Sequence, residues 1–394
     1  MPAPHRETQQ EALKRRLSRR RLLQQASLVA AGLAVASCAD GSVVAPSPTV
    51  MAEPTLEPAL VEAVPGYDDP ARWEGQTLNV TSWGGDYQEA QKRAFFEPFE
   101  RLTGATISLD PTDVVALRQQ VDAGEVIWDI CDILAEDVLP LANVGVIQSI
   151  DYSRIDTTDL FPEAVTEHAL TSGFYSTVLA YRSGAWEGQP PPSGWVDFWD
   201  LEQYPGNRGL HRDPQTTLEF ALLADGVSQA DLYPLDVERA LASLDRIRPA
   251  LLLWWEQGAQ PSQMVTSGAI DMVSVWNSRI DRISSEGAPV LIQWSGAAIS
   301  SDTWVIPSGA PNAEMALDFM QFATRPETCA AFSSLVPFGP VNRRTFDLLP
   351  DELMGSLPTS PELKPQQFNV NHAWWFANRE AVVVRFEEWL AEVE

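Results

Sequence analysis

The sequence predicts an α/β protein built as two lobes with a cleft between them. Past residue 75, strand-like and helix-like segments alternate, the signature of a parallel sheet with crossover helices. The part with folding potential, roughly 320 residues, is also longer than the ~250–300 that one hydrophobic core usually serves.

Residues 76–82 (QTLNVTS) alternate apolar and polar side chains as a half-buried strand does, and Trp83-Gly84-Gly85-Asp86 follows as a turn. Ala90, Ala94, Phe95, Phe99 and Leu102 keep helical spacing, with Pro98 expected to kink the run and Gly104 to stop it. Residues 105–109 read as a strand, 114–123 as a helix and 128–134 as another strand. Further on come helices near 218–225 and 235–247, a strand at 271–275 closed by Trp276-Asn277, and amphipathic helices around 316–323 and 382–390. In open parallel sheets ligands meet the loops at the carboxyl ends of strands, which nominates residues 82–87 and 135–137.

The N-terminus has the layout of an export signal. Lys14-Arg15-Arg16 and Arg19-Arg20-Arg21 precede the 11 apolar or small residues 26–36. That stretch is too short to span a bilayer, which takes about 20 residues. It ends in Val35-Ala36-Ser37-Cys38, which resembles a bacterial lipobox; the resemblance implies cleavage before Cys38 and acylation of its thiol. Residues 1–37 are then a lipoprotein signal, and the mature chain is exported and lipid-anchored to the cell membrane on its periplasmic or extracellular face. Residues 18–23 also resemble a twin-arginine signal, so both export routes stay open. Residues 38–73 read as a tether, since Pro46, Pro48, Pro54, Pro58, Pro65 and Pro70 interrupt any helix or ladder.

Residues 1–37 hold 7 of the 27 Lys and Arg and 2 of the 54 Asp and Glu, leaving 20 basic against 52 acidic side chains in the rest. Nucleic acid is thereby excluded as a partner, because a phosphate backbone needs a basic patch and past residue 37 no basic run is longer than a pair such as Arg343-Arg344. Cys131 and Cys329 read as two buried free thiols. Enzyme signatures are missing: no Gly-x-Ser-x-Gly, His-Glu-x-x-His, Ser-x-x-Lys or Walker glycine loop occurs, and His168, His211 and His372 lie far apart. No two tyrosines are adjacent, which speaks against ferric iron as cargo. Neither a cofactor nor a metal is expected.

Several segments, in order and spacing, resemble the bacterial extracellular solute-binding proteins of ABC importers, of the spermidine/putrescine type. They are residues 80–87 (VTSWGGDY), 275–277 (VWN), 302–307 (DTWVIP), 316–322 (ALDFMQF), 325–327 (RPE) and 337–342 (PFGPVN). The resemblance covers most of residues 76–390. It implies a type II-like periplasmic-binding-protein fold, closing by hinge motion on a small ligand. Lobe 1 would hold residues 74–178 and about 303–345, and lobe 2 residues 179–302 and about 346–394. It implies a single chain working with the importer's permease subunits, and a polyamine-like ligand whose alkyl chain stacks on aromatic rings while carboxylates hold its ammonium groups. Trp276 and Asp302 match positions with those roles, although Ser300 stands where such relatives have a Trp.

The chemistry of a cationic ligand calls for indole faces, worth about 2 kcal/mol or more when desolvated, and for carboxylates that accept charge-assisted hydrogen bonds. The candidate ligand-binding residues are Trp83, Tyr87, Glu136, Asp213, Glu219, Trp276, Asp302, Trp304 and Trp375. Other ligands stay open, namely an amino-acid or opine-like conjugate or a sugar, as does a non-transport lipoprotein sensor or hydrolase.

Overall fold

A computed structural model describes residues 61–392. The expected export signal, Cys38 and the first part of the expected tether lie outside them. The described residues form a mixed sheet of nine strands: β1 (Thr77–Ser82), β2 (Thr106–Pro111), β3 (Ile130–Leu134), β4 (Leu170–Arg182), β5 (Arg208–His211), β6 (Leu251–Trp255), β7 (Met272–Trp276), β8 (Val290–Val305) and β9 (Phe368–Asn369). The order is β2-β1-β3-β8-β4-β7-β5-β6, with β9 beside β8. Its two flanks, β2-β1-β3 and β7-β5-β6, are parallel within themselves, as the alternation of strand and helix predicts. The centre is antiparallel: β8 pairs with β3 on one side and β4 on the other, and β4 pairs with β7.

The helices are α1 (Gly85–Gln91), α2 (Glu97–Thr103), α3 (Val114–Ala123), α4 (Ala135–Asn143), α5 (Trp195–Trp199), α6 (Pro214–Ala224), α7 (Val237–Ile247), α8 (Ala259–Thr266), α9 (Asn277–Ser285), α10 (Ala313–Ala323), α11 (Pro326–Leu335) and α12 (His372–Ala391). The irregularity expected at Pro98 lies one turn earlier. A π-helical turn, Lys92–Phe96, joins α1 to α2 and leaves Pro98 in the first turn of α2, where its missing N–H costs nothing.

Two lobes follow from where the apolar side chains cluster. Phe95, Phe99, Phe174, Ile299, Trp304 and Phe319 belong to one core, and Leu179, Trp195, Phe220, Ala298, Phe386 and Trp389 to another. On β4 the division falls between Phe174 and Val178, and on β8 between Ala298 and Ile299. The central strands therefore pass from one lobe to the other in opposite directions.

The tether expected through residue 73 stops earlier. Val61, Val64 and Tyr67 are buried in the first lobe's core. Asp318 of α10 holds the segment, accepting hydrogen bonds from the Tyr67 hydroxyl (3.0 Å) and the Trp73 indole N–H (2.6 Å) and pairing with Arg72 (2.8 Å). Residues 61–73 carry no helix, and the proline spacing said nothing of these apolar anchors. Cys131 and Cys329 are buried and unpaired. No helix among the described residues is long and apolar enough to cross a membrane.

Candidate functional site

The carboxyl ends of β1 and β3, the middles of β4 and β8, and the carboxyl ends of β5 and β7 converge where the lobes meet. Trp83 closes β1 and is 43% exposed. Gly84 and Gly85 follow with φ of +77° and +59°, a region that L side chains rarely adopt, so the turn that presents Trp83 requires glycine. Tyr87, in the first turn of α1, donates its hydroxyl to Asp132 Oδ2 (2.9 Å).

Asp132 was not among the candidates, yet it anchors this side. It also accepts from Gln91 Nε2 (2.7 Å) and Ser172 Oγ (3.3 Å). The ladder sets Asp132 opposite Trp304 and Leu134 opposite Asp302, so Asp132 and Asp302 are diagonal neighbours on one face, with Asp302 the nearer to the cleft. Burial raises both carboxyls, Asp132 to about 7 and Asp302 well above the ordinary range; for Asp302 the Asp132 charge adds to the rise and the Trp83 indole opposes it. Asp302 is 5% exposed, and no ion pair among the described residues involves it. Tyr175, opposite Ser300 on β4, faces Asp302 and, beyond it, Glu136 and Asp137.

From the second lobe, Asp213 caps α6 by accepting from the Gln215 N–H (2.8 Å) and pairs with Arg379 of α12 (2.5 Å). The turn between them is distorted: Thr216 has φ of +70°, uncommon for a β-branched residue. Gln215 Nε2 reaches across the cleft to Glu136 Oε2 (2.5 Å), in the first turn of α4. Burial raises the Glu136 carboxyl, Arg379 opposes the rise, and Asp213 and Asp137 add to it. A second bridge joins Arg282 of α9 to Asp86 of α1 (2.5 Å).

Glu219 and Trp375 lie behind that turn. Glu219 Oε1 accepts from the Trp375 indole (2.8 Å) and the Tyr233 hydroxyl (2.6 Å), while Oε2 has no partner, and burial raises the carboxyl to about 7. Thr216 Oγ1, Gln215 Oε1 and His372 Nδ1 are likewise buried without partners. His372, whose Nε2 stands 3.5 Å from Ser300 Oγ, is kept neutral by burial, its pKa falling to about 4.

Trp276 ends β7 and meets Trp255 edge-on at 5.5 Å; it also fills the space beside Gly258, where a Cβ would stand 2.4 Å from its ring. Trp304 does not face the cleft. It is fully buried between Phe95 and Phe319, so its predicted ligand contact is replaced by a core role. Arg379 and His372 were missed because both lie on α12 ahead of the stretch 382–390 that reads as an amphipathic helix. Among the described residues no group of three His, Cys, Asp or Glu is arranged to hold a metal ion.

The geometry is that of a clamp, and comparisons with known proteins agree. Residues 94–352 match the model of the family described as bacterial extracellular solute-binding protein. The γ-aminobutyric acid-binding protein of Pseudomonas aeruginosa is 35% identical over 82% of this chain and 93% of its own length. The crystal structure of an ABC transporter substrate-binding protein from Bradyrhizobium japonicum USDA 110 is 34% identical, with a TM-score of 0.76 over 80% of this chain and 99% of that one. The Atu4243-GABA receptor is 32% identical, with a TM-score of 0.73 over 80% of this chain and 97% of that one. With the family model matched over residues 94–352 and a relative 35% identical over most of both chains, this chain belongs to the bacterial extracellular solute-binding proteins.

Proposed function

We propose that this chain is the substrate-binding component of an ABC importer, held at the membrane through an acylated Cys38, and that it captures a small ω-amino acid of the γ-aminobutyrate class. The observation that carries the reading is Asp302, a buried carboxylate at the cleft with no cationic partner among the described residues. A charge in that position is strongly disfavoured unless paired, and a primary ammonium supplies the pair. Trp83 and Tyr175 flank it as aromatic walls for the alkyl chain.

The far end of such a ligand is a carboxylate, and the second lobe offers donors without partners. They are the Thr216 hydroxyl, the neutral His372 imidazole and Glu219, whose raised pKa lets it keep a proton on the free Oε2. The names of two relatives point the same way, since both carry γ-aminobutyrate. The acidic excess of the cleft favours a second reading, an α,ω-diamine, in which an ionised Glu219 seats the second ammonium.

Isothermal titration with γ-aminobutyrate and putrescine separates the two. Asp302→Asn is expected to weaken whichever ligand binds by about 2–5 kcal/mol, the cost of removing one partner of a buried charge pair. Glu219→Gln is expected to spare γ-aminobutyrate within a few-fold and to abolish putrescine binding. Unchanged affinity in Asp302→Asn overturns the site; putrescine binding alone moves the ligand class to diamines.

A further inference from the structure

We propose that this protein exchanges a proton for its ligand: Asp132 and Asp302 share one negative charge while the cleft is empty, and an arriving ammonium group expels the proton from Asp302. The proposal rests on the reading of Asp302 as the ammonium seat, and the observations behind it are geometric. The two carboxylates are diagonal neighbours on adjacent strands, both buried, and among the described residues neither has a basic side chain beside it. Two like charges so placed cannot both be ionised without cost, so one proton stays with the pair.

Hydrogen bonding decides where the proton sits. Asp132 accepts from Tyr87, Gln91 and Ser172, three donors that favour its ionised form. Among the described residues the one donor to Asp302 is the Trp83 indole, so the proton belongs on Asp302. The other titratable groups facing the pair add no positive charge. They are Tyr87 on α1, Tyr175 on β4, and, behind Tyr175, Glu136 and Asp137 on α4. Burial and the neighbouring charge both raise Asp302.

When the ligand enters, its ammonium, which titrates near about 10, stays protonated. The proton released from the Asp302 carboxyl passes to solvent, and a carboxylate–ammonium pair replaces a neutral acid. Affinity then rises with pH until Asp302 ionises in the empty protein.

The test is calorimetry of γ-aminobutyrate, with putrescine in parallel, at about pH 8, above the value of about 7 to which burial raises Asp132, in buffers of different ionisation enthalpy. Close to one proton is expected to be released per ligand, with Kd falling about tenfold for each pH unit gained below the Asp302 pKa. Asp132→Asn, which removes the second charge and keeps an acceptor for Tyr87, leaves the burial of Asp302 in place and is expected to lower the proton count below that of the wild type and to make Kd less steep against pH. Binding with no buffer dependence in the wild-type protein overturns the exchange and leaves the ligand reading standing. Failure of both ligands to bind overturns the ligand reading and the exchange with it. The wild-type buffer series decides the matter even if Asp132→Asn does not fold.

Discussion

Glu219 shows how a single buried side chain links stability to pH. Its carboxyl titrates near 4.5 in an unfolded chain and at about 7 in the fold, because burial penalises the charge more than Tyr233 and Trp375 relieve it. Between those values the folded protein holds a proton that the unfolded chain has released. The contribution is therefore fully present below about 4.5 and is lost as pH rises through about 7. Glu219→Gln removes the dependence, so the thermal midpoint of wild type minus variant is expected to fall between about pH 5 and pH 8; a flat difference would mean that the carboxyl is already ionised in the fold. At this scale the sequence was half legible. Trp304 and Asp302 stand two residues apart on one face of β8, yet the lobe's core closes over the first and stops short of the second. A period of two tells which face a residue takes, never how deep along the strand the core extends. Asp132 is the one carboxylate within Ile130–Leu134, but Asp129 shares the predicted strand, and what Asp132 accepts depends on Tyr87 and Gln91, which only the fold brings near.

The elements that meet across the cleft determine how firmly it closes. α4 offers Glu136 to Gln215 at the start of α6, with Arg379 of α12 facing the same carboxylate, whereas the Arg282–Asp86 bridge between α9 and α1 is 59% and 72% exposed at its two side chains. Exposed pairs contribute about 0–1 kcal/mol and are screened by salt. A half-buried bond to a charged acceptor contributes about 1.5–3 kcal/mol. Gln215→Ala is accordingly expected to raise the ligand's dissociation rate by about tenfold or more at any ionic strength. Asp86→Asn should raise it at most about fivefold in low salt and not at all in high salt. Stopped-flow release of ligand measures both, and equal effects of the two variants would refute the ranking. β1, β2, β3 and β7 could be read because their apolar spacing is regular, whereas β5 and β6 are too short to show a period. β4 and β8 could not, since a strand buried on both faces loses the alternation that marks a strand.

For the molecule as a whole, the anchoring of residues 61–73 on the first lobe matters as much as the cleft. Asp318→Ala leaves the Trp73 indole without an acceptor and Arg72 without its partner. It is expected to cost about 1–3 kcal/mol of stability, seen as a lower denaturation midpoint, with ligand affinity unchanged. A change in affinity would show that the segment reaches the cleft. Because β4 leaves the first lobe and β8 returns to it, each lobe is assembled from two separated stretches of the chain. No single cut in the gene can therefore release either lobe intact. Recombination that trades one lobe between relatives has to break the gene at three places at once, at β4, at β8 and between Val341 and Phe368, so inheritance passes the clamp on as a unit while point substitutions inside the cleft retune what it holds.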